Sequence, residues 1–139
     1  MAQPSINLLA VLVAAVVHIV LGFLWYGPVF GKTWMGLMGL NQKDLEKKKK
    51  DAHMGKSYAI MIIGTLVMSY VLAHFVDYTD ATTFLLGMQA GFWIWLGFVA
   101  PVTLSSVLWE GKSWKLYLLN NAYNLLGLVI AGGILAAWA

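Results

Sequence analysis

Four stretches of the chain contain no charged residue, and each is long enough to cross a lipid bilayer. They cover residues 5–31, 57–76, 81–109 and 116–139. A transmembrane helix needs about 20 largely apolar residues. The runs are continuously apolar rather than alternating, which argues against the strands of a barrel. The pattern predicts an all-α membrane protein, one domain over residues 1–139, with transmembrane helices at about 6–27, 58–76, 84–108 and 116–138.

The segment between the first two spans, residues 28–56, is predicted to stay outside the bilayer core. Pro28 should end the first span because proline has no N–H to continue the helix. Apolar residues at helical spacing then predict a short helix in the membrane interface (Phe30, Trp34, Leu37 and Met38). The alternative is a loop that covers the end of the bundle. Asn41 and Asp44 predict the N-terminus of a further helix that leads towards the second span.

The distribution of lysine predicts the orientation. All nine lysines lie in the segment 28–56 or in the loop between the third and fourth spans. Because positive loops stay in the cytoplasm, we expect both segments inside, both termini outside, and a location in the cell membrane. A run of four lysines is a candidate contact for anionic lipid headgroups (Lys47, Lys48, Lys49 and Lys50). The alternative is a solvated face that only sets the orientation.

Aromatic residues support these boundaries, since tryptophan and tyrosine favour the membrane interface. The residues that we assign to the inner interface are Trp25, Tyr26, Pro28, Trp34, Trp109 and Trp114.

Composition excludes several classes of function. The chain is 60% hydrophobic and only 11% charged, whereas soluble domains carry about 25% charged residues. It contains neither arginine nor cysteine, so it lacks bidentate phosphate readers and thiolate ligands. We therefore expect membrane lipids as partners and no nucleic acid, and we do not expect a soluble enzyme.

The polar groups inside the spans are all neutral or histidine. The absence of a carboxylate there argues against a proton-coupled pump. At 1.5 Å per residue, His18 and Asn124 both lie about 13 Å from the inner end of their spans. Because unpaired polar groups are costly in hydrocarbon, we expect a set of them to face one another as a pocket or pathway. This set is His18, Thr65, Ser69, Thr103, Asn120, Asn121 and Asn124, and the alternative is hydrogen bonding that only joins helices.

Two further features bear on ligands and assembly. His18 and His74 lie at different depths and cannot share a haem iron within one subunit. Two copies of His18 across a dimer could share one, but nothing in the sequence requires it, so no cofactor and no metal are expected. Small residues at four-residue spacing, such as Gly87 and Gly91, let helices approach closely. They are more numerous than one bundle needs, which predicts a homo-oligomer, most simply a dimer. Pro101 should kink the third span and free the carbonyl group of Gly97.

The stretch His18-x3-Gly22-x2-Trp25-Tyr26-Gly27-Pro28-x-Phe30-Gly31-Lys32-x-Trp34-Met35, followed by three apolar spans, resembles a known family. These are the small bacterial and fungal membrane proteins grouped as domain of unknown function 1761. The region Asn121-x-Tyr123-x-x-Leu126 is also similar. The resemblance implies a four-span membrane protein and adds weight to the first-span positions, but it implies no activity, substrate or cofactor.

Two functions remain open from the sequence. The first is a small-solute channel or facilitator lined by the neutral polar residues of the inner leaflet. The alternative is a binding or scaffold protein for a lipid, a quinone or a partner subunit. An enzyme is not expected, because an intramembrane histidine without a neighbouring acid or nucleophile is weak support for catalysis.

Overall fold

The structure is a computed structural model that describes residues 6–41, 43–44, 47 and 53–138. Its helices are α1 (Leu8–Leu24), α2 (Gly31–Met38), α3 (His53–Tyr78), α4 (Phe84–Ile94), α5 (Ser105–Leu108) and α6 (Trp114–Ala137). Wider π-helical turns follow α1 at Trp25–Val29 and α4 at Trp95–Val99, and a 3₁₀ turn at Val102–Leu104 precedes α5. The predicted all-helical fold is confirmed for these residues.

Three of the helical stretches are long and apolar enough to cross a membrane. They are Leu8–Val29, Gly55–Tyr78 and Trp114–Ala137. A fourth span exists only if Phe84–Val99 and Val102–Leu108, which meet at 41°, are counted as one bent span. The described residues therefore contain three or four candidate spans. The predicted kink lies at Pro101, whose missing N–H interrupts the helical hydrogen bonds.

The end of the first span is kinked where Pro28 was predicted to end it. Gly27 has a non-helical backbone conformation (φ −106°, ψ −106°) inside the turn Trp25–Val29, and the N–H of Phe30 donates to the carbonyl of Trp25 at 2.9 Å across this kink. Helix α3 begins at His53 and is longer than the predicted second span, 58–76, because it includes residues of the helix expected to lead towards that span.

Helix α6 is the centre of the bundle. It packs against α1, α3 and α4, and most extensively against α4. A β-carbon added at Gly87 would overlap the carbonyl group of Gly132, and one at Gly91 would overlap the carbonyl group of Leu128. The two backbones are therefore in direct contact, as small residues four positions apart permit.

The buried core lies in the half of the bundle that contains Asn7 and Trp138. Small residues dominate it, and its members are Ala10, Val11, Ala14, Leu72, Ala73, Val76, Ala81, Leu128, Ala131, Leu135 and Ala136. Asn7 closes this end: its side-chain oxygen caps α1, and its amide nitrogen donates to the Trp138 carbonyl at 3.0 Å. This half of the bundle is therefore tightly packed.

Several of the small residues that suggested an oligomer are used within the chain. Gly127 lies against the ring of His18, Gly22 against Tyr123, and Gly133 against Phe84. Their presence is therefore explained by contacts in one copy, and the dimer stays a prediction.

The segment after α1 contains the predicted short helix, α2, which ends at Gly39 in the left-handed conformation (φ 71°). Asn41 and Asp44 then form a reciprocal pair. The N–H of Asp44 donates to the Asn41 side chain at 2.9 Å, and the N–H of Asn41 donates to the Asp44 carboxylate at 3.1 Å. This is the arrangement of a capping box, and it agrees with the predicted helix start.

We expect Gly91→Ala to lower the thermal stability of the protein, because the added β-carbon meets the Leu128 carbonyl group. Overpacking of this kind costs about 1–3 kcal/mol. Gly64→Ala in α3 is the matched control, since a β-carbon there has nothing within 4 Å. Unfolding midpoints of the three proteins, measured in one detergent, test the expectation. An unchanged midpoint for Gly91→Ala would contradict the backbone contact.

Candidate functional site

A cavity of about 440 Å³ lies beside the first three turns of α6, facing the end of α1, α2 and the bent segment after α4. Its size falls within the range of about 300–1,000 Å³ typical of ligand pockets. Four of the lining side chains are aromatic, the other five carry hydroxyl or carboxamide groups, and none is charged. They are Tyr26, Trp34, Tyr117, Tyr123, Thr103, Ser106, Asn120, Asn121 and Asn124.

Helix α6 provides most of the polar wall. Ser113 caps the helix by accepting the Leu116 N–H at 3.1 Å, which fixes where the helical register begins. Steps of three and four residues then place one set of side chains on the same face. This set is Tyr117, Asn120, Asn121 and Asn124.

The break after α4 is held to α6 by hydrogen bonds from cavity residues. The Tyr117 hydroxyl donates to the Ala100 carbonyl at 2.7 Å, and the Thr103 hydroxyl donates to the Val99 carbonyl at 2.8 Å. The Asn121 amide nitrogen donates to the Thr103 hydroxyl oxygen at 3.1 Å. Because a broken helix leaves carbonyl groups without backbone donors, these side chains satisfy them. The Ala100 carbonyl also lies 3.3 Å from the Thr103 hydroxyl, and the release of the Gly97 carbonyl stays a prediction.

The end of α1 is fastened to the same helix. The Tyr26 hydroxyl donates to the Asn120 side-chain oxygen at 2.7 Å, and the Trp25 indole N–H donates to the Leu119 carbonyl at 3.2 Å. Trp34 on α2 packs edge-on against Tyr26, with ring centroids 5.8 Å apart. Trp25, Tyr26 and Trp34, which the sequence assigned to the membrane interface, thus contact the bundle or the cavity.

His18 lies behind the cavity wall rather than in it. Its ring packs against Tyr123, with centroids 5.1 Å apart, and against Gly127. The Tyr123 hydroxyl donates to the His18 backbone carbonyl at 3.1 Å. The imidazole Nδ1 is buried and has no hydrogen-bond partner among the residues that the structure describes. His18 therefore supports Tyr123, which itself lines the cavity.

The other residues of the predicted polar set lie on α3 and do not line the cavity. The Thr65 hydroxyl donates to the Met61 carbonyl of its own helix at 2.8 Å. The Ser69 hydroxyl is fully buried and donates to the Val11 carbonyl at 2.8 Å, which joins α3 to α1. These two bonds have the geometry of structural contacts.

The remaining predicted residues lie away from the cavity. Pro28 is exposed, and Trp109 and Trp114 are 84% and 56% exposed. Lys47 is also exposed. Lys48, Lys49 and Lys50 lie outside the described residues, so the predicted headgroup contact is untested.

The predicted polar set lacks five of the cavity residues. Tyr26 and Trp34 were assigned to the membrane interface, and Ser106, Tyr117 and Tyr123 were not selected. For Tyr117 a signal was present, because it precedes Asn120 and Asn121 by three and four positions and so shares their face. For Tyr123 the signal was weaker, since its position depends on the packing of its ring against His18.

The chemistry available in the cavity is hydrogen bonding and aromatic contact. The described residues contain no group of three or more histidine, cysteine, aspartate or glutamate side chains able to hold a metal. Asp77 and Asp80 line a separate cavity of about 100 Å³ beside Asn7, in the other half of the bundle.

We expect Tyr117→Phe to destabilise the protein, because the Ala100 carbonyl loses its hydrogen bond of 2.7 Å and keeps only the longer one, at 3.3 Å, from the Thr103 hydroxyl. The loss of one intramolecular hydrogen bond costs about 0.5–1.5 kcal/mol. Tyr70→Phe is the matched control, since the Tyr70 ring is 43% exposed and lies on the surface of α3. Unfolding free energies in mixed detergent micelles should fall only for Tyr117→Phe. Equal values for both variants would show that this bond adds nothing to stability.

Comparison with known proteins gives a family but no activity. No curated protein matches the chain, and no solved structure matches it. A family model described as a protein of unknown function, DUF1761, matches residues 9–136, which is nearly the whole chain. The chain therefore belongs to the DUF1761 family.

Proposed function

We propose that this protein binds a small molecule in the cavity beside the first turns of α6. The observation that carries the proposal is the set of nine uncharged aromatic, hydroxyl and carboxamide side chains around about 440 Å³. Ligand pockets combine a mainly apolar wall with a few polar groups that fix orientation. Interhelical adhesion alone requires no such space, because side chains that only join helices pack directly against one another.

Binding is favoured over passage through the bundle. Beyond the cavity, α1 and α6 continue into the packed core around Ala14, Leu128 and Ala131, each less than 7% exposed. Within the described residues, the polar lining has no continuation through that core. A channel through a single copy would need this half to open, so the binding alternative from the sequence is the one that we propose.

The proposed setting is a membrane. The apolar helices are compatible with a membrane protein, and we propose that the bent pair completes a four-span bundle. Lys32, Lys112 and Lys115 are exposed in the segments that border the cavity-lining parts of α2 and α6. If these lysines face the cytoplasm, the cavity lies in the inner half of the cell membrane and both termini lie outside.

Binding is also proposed in preference to catalysis. The cavity lining contains no carboxylate, imidazole or ammonium group, and general acid–base chemistry depends on such groups. Homo-oligomerisation, predicted from the small residues, is not required for this proposal because one copy forms the cavity.

Native mass spectrometry of protein purified in mild detergent tests the proposed function. We expect the unmodified protein to carry a bound small molecule or lipid, and Asn124→Leu to lose most of it, because the substitution removes a polar group and fills the cavity. Gln89→Leu is the matched control, since Gln89 is exposed on α4 away from the cavity. An adduct of equal abundance in all three proteins, or none in any of them, would contradict binding at this site.

A further inference from the structure

The hydroxyl groups of the cavity all direct their protons away from a ligand. Each of the five donates to a neighbouring protein oxygen at 2.7–3.1 Å. The bonds are Tyr26 to the Asn120 side chain, Tyr117 to the Ala100 carbonyl, Tyr123 to the His18 carbonyl, Thr103 to the Val99 carbonyl and Ser106 to the Thr103 carbonyl. A hydroxyl has one proton and two lone pairs. These groups therefore have only lone pairs left to offer.

The carboxamide of Asn121 is used in the same way. Its nitrogen donates to the Thr103 hydroxyl at 3.1 Å and to the Tyr117 carbonyl at 3.2 Å. Since an amide nitrogen carries two protons, Asn121 has none left for a ligand. The hydroxyl groups and Asn121 therefore offer acceptors, and the donors of the lining are the carboxamide N–H groups of Asn120 and Asn124 and the indole N–H of Trp34.

Three aromatic rings of the cavity stand at steep angles to one another. Trp34 and Tyr26 are inclined at 74°, with centroids 5.8 Å apart, and Tyr26 and Tyr123 at 72°, with centroids 5.4 Å apart. Tyr117 provides a fourth ring. Aromatic faces carry negative potential and attract cations. These two pairs touch edge to face, so an alkylated ammonium group has room beside the rings, on the surfaces that border the cavity, and not between them.

We propose that the ligand of this cavity carries an organic ammonium group. This proposal rests on the proposed function. Ring faces and oxygen lone pairs both favour positive charge, and the lining contains no lysine or histidine to oppose it. The nearby lysines, Lys32, Lys112 and Lys115, are exposed, so water and salt screen their repulsion.

Two sources provide this chemistry: a soluble alkylammonium compound, or the headgroup of a lipid such as phosphatidylethanolamine. In the lipid, a phosphate lies beside the ammonium group. The Asn120 side-chain oxygen accepts from Tyr26, and its amide protons can donate to phosphate oxygens. The exposed lysines attract the negative charge of the same phosphate. Both sources place the ammonium group against the same rings.

The test compares choline with dimethylbutanol, its uncharged isostere in which carbon replaces nitrogen. Ligand-observed NMR with the full-length protein in detergent measures both affinities. We expect choline to bind about tenfold more tightly, because the two compounds differ only in the charge that the rings attract. Trp34→Leu should remove the preference, and Trp34→Phe, which keeps a ring, should retain most of it. Tyr70→Leu, on the surface of α3, should leave it unchanged.

The outcomes separate the ligand class from the proposed function. Equal affinity for the two compounds overturns the ammonium proposal. So does binding of neither compound while the purified protein keeps its adduct. Neither outcome contradicts a ligand pocket at this site. If, in addition, Asn124→Leu carries the same adduct as the unmodified protein, both the ammonium proposal and the proposed function are overturned. If Trp34→Leu does not fold, Tyr26→Leu takes its place in the test. The proposal is then supported when Trp34→Phe retains the preference for choline and Tyr26→Leu loses it.

Lipid nanodiscs distinguish the two sources. Retention of phosphatidylethanolamine over phosphatidylglycerol, with displacement by choline, supports the lipid headgroup. Choline binding of the same strength in both lipids supports a soluble ammonium ligand. Preferential retention of phosphatidylglycerol that choline does not displace would overturn the proposal.

Discussion

The contact between the backbones of α4 and α6 is the constraint on which the rest of the structure depends. Gly87, Gly91 and Gly132 allow the two helices to touch without side chains between them. Beyond this contact, α4 widens into its π-helical turn, which also packs against α6, and the chain bends by 41° before α5. Thr103 and Ser106, which follow the bend, line the cavity.

A bend in an apolar bundle creates carbonyl groups that need donors, and this need accounts for much of the polarity of the site. Tyr117 and Thr103 satisfy the carbonyls of Ala100 and Val99, and Asn121 orients Thr103. The protons of these groups are consumed in stabilising the fold, so they present lone pairs to the cavity, beside the aromatic rings. The positive charge that we propose for the ligand follows from the way in which these side chains donate to the carbonyl groups at the bend.

The sequence predicted the helices well because their signal, long uncharged runs, is local. It also placed Asn120, Asn121, Asn124 and Thr103 in overlapping layers of the inner half, and the structure brings these four to one cavity. Depth does not determine which way a side chain points around the helix axis. Thr65 was assigned to the same layer, yet it lies on α3 and bonds its own backbone. The positions of α2 and of the π-helical turns depend on tertiary contacts such as that of Tyr26 with Asn120.

The most direct test of the account is the accessibility of single cysteines, because the chain has no cysteine of its own. Asn124→Cys lies in the cavity wall, and Ser69→Cys replaces a side chain that is fully buried in the other half of the bundle. In protein reconstituted into liposomes, we predict that a small, water-soluble methanethiosulfonate modifies the cysteine at 124 and reaches the one at 69 only after unfolding. Protection of both cysteines, or equal modification of both in the folded protein, would contradict an open cavity beside a closed core.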